Sequence, residues 1–235
     1  MPYFEFKGAK LHYVELGNRE DLSVVFVHGA GSSHDTWSLQ MEEFGPRYHM
    51  VSLDLSGHGA SDPGPEGIRI GTGYAYELAG LVGHLNLENF VAVGHSMGGG
   101  VVMSYALNSS FQKPKALVLV DTSSNLDLSR LGAGMTLEAL DTFLTLLRDR
   151  ITGRNKKAMD IIQREESMKI ENPQIMQRDL AAVDNFDITH RLHEIDLPTL
   201  IIVGEGDDII TPVMATALKN SLPRADIAVV RNAHH

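Results

Sequence analysis

Cysteine is absent from the 235 residues of this chain. A disulfide framework, a zinc site built on thiolates and a cysteine nucleophile are therefore excluded. Basic residues are also few: 20 lysines and arginines stand against 30 aspartates and glutamates, which gives a formal net charge of -10. Because so acidic a chain repels a phosphate backbone, we expect no nucleic-acid partner.

Long apolar runs are missing as well. No stretch approaches the roughly 18 uninterrupted apolar residues that identify a membrane-spanning helix. The first residues, MPYFEFKGAK, lack the basic start and apolar stretch of a secretory signal. We therefore expect a cytoplasmic protein without a membrane span. Hydrophobic residues make up 43% of the chain, which excludes disorder as its main state, and the length suits one domain or a tight pair.

Short apolar runs alternate with helical stretches along most of the chain. Two alternating segments around Gly8 predict an antiparallel hairpin at a sheet edge. Nearly unbroken apolar runs, typical of parallel strands buried on both faces, follow at 24–27, 50–55, 90–93, 116–120, 199–203 and 227–230. Helical stretches lie at 36–44, 74–84, 98–107 and 212–222. This order predicts an α/β fold whose sheet is mostly parallel, with helices on both faces.

The alternation stops after Val120 and returns at Leu197. From Leu137 to Leu147, leucines repeat at steps of three and four, the period of an apolar helix stripe, and further helical stretches lie at 156–168 and 173–183. We predict a helical insertion over residues 126–194, with residues 1–125 and 195–235 forming the core domain. The alternative is a set of crossover helices that belong to the main layer.

The most informative stretch is FVAVGHSMGGG at 90–100, where a predicted strand runs through a turn into a helix. A Gly-x-Ser-x-Gly turn in this context holds its serine in a strained conformation, so that the hydroxyl projects from the sheet. The following helix places its N-terminus beside Ser96, where negative charge is favoured. The pattern predicts Ser96 as a nucleophile. The alternative is a glycine-rich turn with a passive serine.

A second glycine-rich segment, His28 to Gly31, follows the strand predicted at 24–27. Acyl transfer generates an oxyanion that needs aimed N–H donors, and a glycine-rich loop offers backbone N–H groups without obstruction. We predict that the backbone N–H groups of Ala30 and Met97 are these donors. A phosphate-binding loop is the alternative, but neither the lysine of a nucleotide P-loop nor a Gly-x-Gly-x-x-Gly pattern is present.

Taken together, six motifs resemble the α/β-hydrolase fold superfamily, in the branch with a helical cap after the sixth strand. In order they are VHGAGSS at 27–33, DLSGHGASD at 54–62, VGHSMGG at 93–99, LVLVDTS at 117–123, VGEGDDIITP at 203–212 and VVRNAHH at 229–235. The resemblance implies a triad of Ser96, Asp207 and His235. In such a triad His235 takes the Ser96 proton and later returns it to the leaving group, while Asp207 holds the imidazole. We expect no cofactor, and no metal either, because none of the histidines has a paired spacing such as His-Glu-x-x-His.

Two members of the triad have rivals in the sequence. Asp208 is adjacent to Asp207, and Asp121, at the end of the sixth predicted strand, stands where some relatives place the acid. His234 in turn precedes His235. Structural roles in loops and packing are expected for a further set of residues, namely His28, Trp37, Asp54, His58 and His95.

The resemblance implies a serine hydrolase that acts on a small-molecule carboxylic ester, as carboxylesterases and monoacylglycerol-lipase-like enzymes do. Lactone and thioester hydrolysis use the same machinery. A cofactor-free perhydrolase, a C–C bond hydrolase and a hydrolase-like ligand receptor are the alternatives, because the fold hosts many activities. We also expect the insertion to form a lid over Ser96, with apolar side chains that line the acyl site.

The sequence ends at His235, the predicted base, whereas relatives usually continue with a helix that covers one face of the sheet. A bare sheet face would expose apolar surface to water. We therefore expect either a longer natural chain or a second copy of the chain over that face, which would make the protein a homo-oligomer.

Overall fold

A computed structural model describes residues 2–125 and 156–235 of the chain. Eight strands form one sheet in the order β1-β2-β4-β3-β5-β6-β7-β8. The strands are β1 (Tyr3–Phe6), β2 (Ala9–Leu16), β3 (Ser23–Val27), β4 (His49–Leu53), β5 (Phe90–His95), β6 (Ala116–Val120), β7 (Thr199–Gly204) and β8 (Ala225–Val230). β2 is antiparallel to both β1 and β4, whereas the pairs from β4 to β8 are parallel. The predicted hairpin and mostly parallel sheet are confirmed.

Helices cover both faces of this sheet, as predicted. They are α1 (Ser38–Phe44), α2 (Ala75–His84), α3 (Met97–Leu107), α4 (Lys156–Glu171), α5 (Pro173–Asp184) and α6 (Pro212–Ser221). Short helical turns lie at His34–Trp37, Ile70–Tyr74 and Thr189–Glu194. None of the helices in the described parts of the chain has the length and apolar character needed to cross a bilayer.

Alternate residues of β3 show how the two faces are packed. Val25 and Val27 point into the larger apolar cluster, which α2, α3 and α6 cover. Phe26 points the opposite way, into a smaller cluster with Trp37 and Met41 of the α1 region. Because successive side chains of a strand alternate between faces, a strand that is apolar at every position must be covered on both sides. Both faces of the sheet are thus covered, and the carboxyl ends of its strands are left free to carry a site.

The helices α4 and α5 belong to the insertion predicted at 126–194. The first part of that insertion, with the leucine stripe from Leu137 to Leu147, lies outside the described residues. Within the described part, α4 contacts the 34–44 region through three polar pairs on or near the surface, namely Arg164 with Asp35, Lys157 with Glu42 and Thr36 with Glu165. The two ion pairs among them lie at the surface and stabilise little. The division into core and insertion therefore stays a prediction.

Candidate active site

Ser96 lies at the turn between β5 and α3. Its backbone has φ 51° and ψ −119°, in a left-handed region that an L-residue adopts only under strain. Close packing around the turn explains the flanking glycines. A Cβ on Gly94 would lie 2.2 Å from the Gly98 carbonyl oxygen, and a Cβ on Gly98 would lie 2.3 Å from the carbonyl oxygen of Val27. The turn therefore has the strained geometry that the Gly-x-Ser-x-Gly pattern predicts.

Two side chains at the carboxyl end of the sheet continue from Ser96 as a chain of hydrogen bonds: His235 contacts Ser96, and Asp207 contacts His235. His235 Nε2 lies 3.0 Å from Ser96 Oγ, and His235 Nδ1 lies 2.8 Å from Asp207 Oδ2. The other oxygen of Asp207 accepts the backbone N–H groups of Ile209 and Ile210 at 2.8 and 2.9 Å. Burial raises the pKa of Asp207, but the hydrogen bond from His235 and those two N–H groups outweigh it, so the pKa is lowered. The carboxylate therefore stays ionised beside the imidazole.

Asp208 and His234, which precede or follow the two residues just described in the sequence, are placed differently. Asp208 is exposed, whereas Asp207 is buried. His234 makes a hydrogen bond through Nδ1 to the Gly206 carbonyl oxygen at 2.7 Å, which ties its ring to the Asp207 turn. The histidine that contacts Ser96 Oγ is thus His235, whereas His234 contacts Gly206.

Asp121 stands behind the Asp207 turn at the end of β6. Its φ is 43°, and its Oδ1 accepts the backbone N–H of Gly204 at 2.8 Å, which fixes the end of β7 where that turn begins. Burial raises the pKa of Asp121 to about 6, and the nearby Asp207 carboxylate adds to that effect. Asp121 is therefore placed to hold the backbone of the turn, one step removed from His235.

The loop of residues 28–33, which follows β3, passes directly beside Ser96. A Cβ on Gly29 would lie 3.0 Å from His95 Nδ1 and 3.3 Å from the Ser96 Cβ, so a larger residue there would press on the Ser96 turn. Ala30 comes next in this loop, and Met97 is the first residue of α3. The first N–H groups of a helix have no partner within the helix. The N–H groups of Ala30 and Met97 are thus on segments adjacent to Ser96, and their role as oxyanion donors stays a prediction.

Sequence reasoning missed Asp179, a fully buried carboxylate on α5. It reaches the 28–33 loop and accepts the backbone N–H of Gly31 at 2.9 Å. The signal was available in the sequence, since Met176 and Val183 lie on the same helical face and are buried. A charged residue among the apolar positions of a helix must have polar partners in the core. The helical spacing of Met176, Asp179 and Val183 therefore marks Asp179 as such a residue.

Asp54, just after β4, fixes the loop of residues 54–62, in keeping with the structural role expected for it. Its carboxylate is fully buried and accepts hydrogen bonds from His12 Nδ1 at 2.7 Å, His34 N at 2.7 Å and Ala60 N at 3.0 Å. Within the described residues, His12, His34 and Asp54 form a group that could ligate a metal ion. The closest ligand atoms are hydrogen-bonded at 2.7 Å, however, shorter than the roughly 3.3 Å edge of a tetrahedral zinc site.

We expect Asp54→Asn to lower the free energy of unfolding by about 3 kcal/mol at neutral pH, as loss of one partner of a buried charged pair does. Burial raises the pKa of Asp54, but its bonds to His12 and His34 outweigh it and bring the pKa well below the ordinary 3.8. A carboxyl with a lowered folded-state pKa stabilises the fold above the unfolded pKa and loses that effect as the pH falls. Burial lowers the pKa of His34, but its bond to Asp54 outweighs burial and raises that pKa above the ordinary 6.5. The deficit of the variant should therefore be largest between about pH 4 and pH 6.5, where both groups are charged, and shrink below about pH 4.

Urea unfolding of the wild type and the variant at about pH 5 and at about pH 3 measures this difference, because His34 is charged at both values. Asp62→Asn is the matched control, because Asp62 lies in the same loop, is exposed and accepts the Lys10 N–H at 2.8 Å. That control should stay within about 0.5 kcal/mol of the wild type. An equal loss at both pH values for Asp54→Asn would contradict the electrostatic explanation.

Comparison with known proteins gives a consistent result over almost the whole chain. Residues 24–235 match the Alpha/beta hydrolase family. A non-heme chloroperoxidase of Burkholderia pyrrocinia is 30% identical, over 94% of this chain and 87% of that protein. A solved thermophilic esterase from Thermogutta terrifontis is 25% identical with a TM-score of 0.75, over 99% of this chain and 89% of that one. The structure of Est816, described as an N-acyl homoserine lactone degrading enzyme, shares the fold with a TM-score of 0.83 at 24% identity, over 100% and 93% of the two chains.

Proposed function

Because the chain belongs to the alpha/beta hydrolase family, we propose that it is a serine hydrolase that cleaves a small carboxylic ester through an acyl-enzyme on Ser96. The observation that carries the proposal is the unbroken line of hydrogen bonds from Ser96 Oγ through His235 to Asp207, at 3.0 and 2.8 Å. A nucleophile in contact with a base, itself oriented by an acid, is the arrangement that acyl transfer needs.

In the first half of the reaction, Ser96 Oγ attacks the ester carbonyl carbon while His235 Nε2 takes the hydroxyl proton. The carbonyl oxygen becomes an oxyanion, which the N–H groups of Ala30 and Met97 receive. The intermediate then collapses, the C–O bond to the alcohol breaks, and the alcohol leaves with the proton from His235. Throughout, Asp207 keeps the Nδ1–H of His235 in place and stabilises the imidazolium.

In the second half, a water molecule gives a proton to His235 and attacks the acyl carbon. The acid leaves, and Ser96 recovers its proton. An apolar acyl group would be received at the mouth of the site, where we propose that the insertion over 126–194 forms a lid. Within the described residues, α5 of that insertion contacts the 28–33 loop beside Ser96, which supports this placement.

A perhydrolase reaction is the second candidate, and one relative favours it, since the protein that is 30% identical is named a non-heme chloroperoxidase. In this variant hydrogen peroxide replaces water in the second half. One peroxide oxygen gives its proton to His235 and attacks the acyl carbon, the bond to Ser96 Oγ breaks, Ser96 recovers the proton from His235, and a peracid leaves. The same three residues serve both reactions, so the choice between them depends on which nucleophile reaches the acyl-enzyme.

We expect a fluorophosphonate to label the folded protein at Ser96 with a stoichiometry near one, as located by peptide mass spectrometry. The strained turn and the neighbouring His235 make this serine the reactive one. A panel of p-nitrophenyl esters from acetate upward, run with and without hydrogen peroxide, then measures hydrolysis and peracid formation side by side. Heat-unfolded protein is the control and should not be labelled.

A folded protein that neither reacts with the probe nor turns over any ester would contradict the proposal. Ester turnover that hydrogen peroxide leaves unchanged, with no peracid formed, supports hydrolysis alone. Peracid formation at a rate comparable with ester hydrolysis supports the perhydrolase candidate.

A further inference from the structure

We propose that Asp179 is a positioning residue for the reaction, because it holds the 28–33 loop in the geometry that receives the oxyanion. The inference deepens the proposed function and rests on it. Asp179 belongs to α5, and its contact with Gly31 spans 148 positions along the chain. The insertion would then supply part of the support of the catalytic loop, in addition to covering the site.

Three donors from three separate segments converge on this carboxylate. Oδ2 accepts the Gly31 backbone N–H at 2.9 Å and faces His58 Nε2 at 2.7 Å, and Oδ1 accepts the Tyr74 hydroxyl at 2.5 Å. His58 belongs to the 54–62 loop, and Tyr74 ends the helical turn before α2. Asp179 therefore joins α5 to two loops and to the helical turn before α2.

The bond to Gly31 acts next to the predicted oxyanion donor. It fixes the planar peptide unit between Ala30 and Gly31, which is one unit away from the Ala30 N–H. Gly31 has a φ of 64°, so the backbone at this point is free to take other conformations when nothing holds it. Without the Asp179 carboxylate, the direction of the Ala30 N–H would be less well determined.

Packing of α5 alone does not require a buried carboxylate at position 179. Its presence indicates that the hydrogen bonds to its oxygens have a role of their own. Burying a charge is strongly unfavourable unless good partners surround it, and apolar residues of similar volume often hold buried positions equally well. The neighbouring Arg178 lies 3.8 Å from Asp179 Oδ1 through its Nε and also contacts the core, where its guanidinium donates to the Ser56 carbonyl oxygen at 2.5 Å. Packing of α5 thus has other supports, whereas among the described residues the Gly31 N–H is bonded by Asp179.

The effect expected on kcat and KM depends on the step of the reaction at which the 28–33 loop acts. The Ala30 N–H meets a full negative charge only as the carbonyl oxygen becomes an oxyanion, so a misdirected N–H weakens the transition state more than the bound ester. Loss of Asp179 should therefore lower kcat and leave KM nearly unchanged. A purely structural role would instead lower the melting temperature and the fraction of active molecules.

The test compares Asp179→Ala and Asp179→Asn with Glu77→Gln. The quantity compared is kcat per reactive serine, that is, turnover divided by the number of molecules that the fluorophosphonate labels at completion. Asp179→Ala should lower kcat about 10- to 100-fold and leave KM within about threefold of the wild type. The reason is that misaligning an oxyanion donor lowers the rate by up to as much as removing that donor. Asp179→Asn should lose less, because its amide oxygen still accepts the Gly31 N–H. Glu77 is the matched control: it is equally buried, but accepts the Ser56 N–H at 2.9 Å in the 54–62 loop, so its variant should stay within about twofold.

Hydrogen exchange of the peptide that covers residues 28–33 gives a readout that does not depend on ester turnover. Exchange should become faster in Asp179→Ala and stay as in the wild type in Glu77→Gln. If Asp179→Ala does not fold, Asp179→Asn carries the comparison. Should the wild type lack both labelling and turnover, the proposed function fails, while the exchange data still report on the loop. Unchanged exchange, or a kcat per reactive serine no lower than that of Glu77→Gln, would overturn the inference.

Discussion

Ser96→Ala should lower kcat for ester hydrolysis by about 10,000-fold or more, the largest effect expected for any single change in this protein. The substitution removes the atom that attacks the substrate, and the described structure places His235 Nε2 3.0 Å from that atom. Backbone strain at position 96 is the same for alanine as for serine, so the fold should persist. Binding of the ester should also persist, because the rest of the site is unchanged.

The measurement is kcat and KM with the best ester of the panel, together with the melting temperature. Ser104→Ala is the matched control, since Ser104 is a buried serine on α3 whose Oγ has no hydrogen-bond partner among the described residues. Its kcat should stay within about twofold of the wild type. Ser96→Ala with ester turnover within tenfold of the wild type would mean that Ser96 is not the nucleophile.

Asp207→Asn should lower kcat by about 10,000-fold, which is the second largest effect. One oxygen of Asp207 accepts the Ile209 and Ile210 N–H groups, so the amide oxygen of the variant would take that position. The amide NH2 would then face His235 Nδ1 and donate to it. The imidazole would be forced to carry its proton on Nε2, where it could no longer accept the proton of Ser96.

Two further variants distinguish the acid from its neighbours. Asp208→Asn, on the exposed side of the same turn, should stay within about twofold of the wild type. Asp121→Asn should keep kcat within about tenfold, because its amide oxygen can still accept the Gly204 N–H. An Asp121→Asn variant that loses as much activity as Asp207→Asn would move the role of the acid to Asp121. Each kcat is taken per folded molecule, with the folded fraction read from the melting curve, which separates loss of chemistry from loss of folded protein.

The elements of the fold could be predicted because their signals are local. The strand predicted at 116–120 matches β6, and the helix predicted at 74–84 differs from α2 by one residue. Each rests on a run of apolar residues or on helical spacing within a dozen positions. The strand predicted at 50–55 was two residues too long at its end, since β4 stops at Leu53. There the carboxylate of Asp54 takes part in hydrogen bonds with residues far along the chain, which no local pattern reveals.

For this protein, the sequence by itself determined the alternation of strands and helices and the strained turn at Ser96, because glycine spacing and apolar periodicity act between near neighbours. Only the tertiary structure decided that β4 lies between β2 and β3, and that His235 rather than His234 reaches Ser96. It alone also brought Asp179 to Gly31. Adjacent residues differ in direction through the backbone angles of a turn, and distant residues meet only when whole elements pack. Both depend on contacts that the local sequence pattern does not contain.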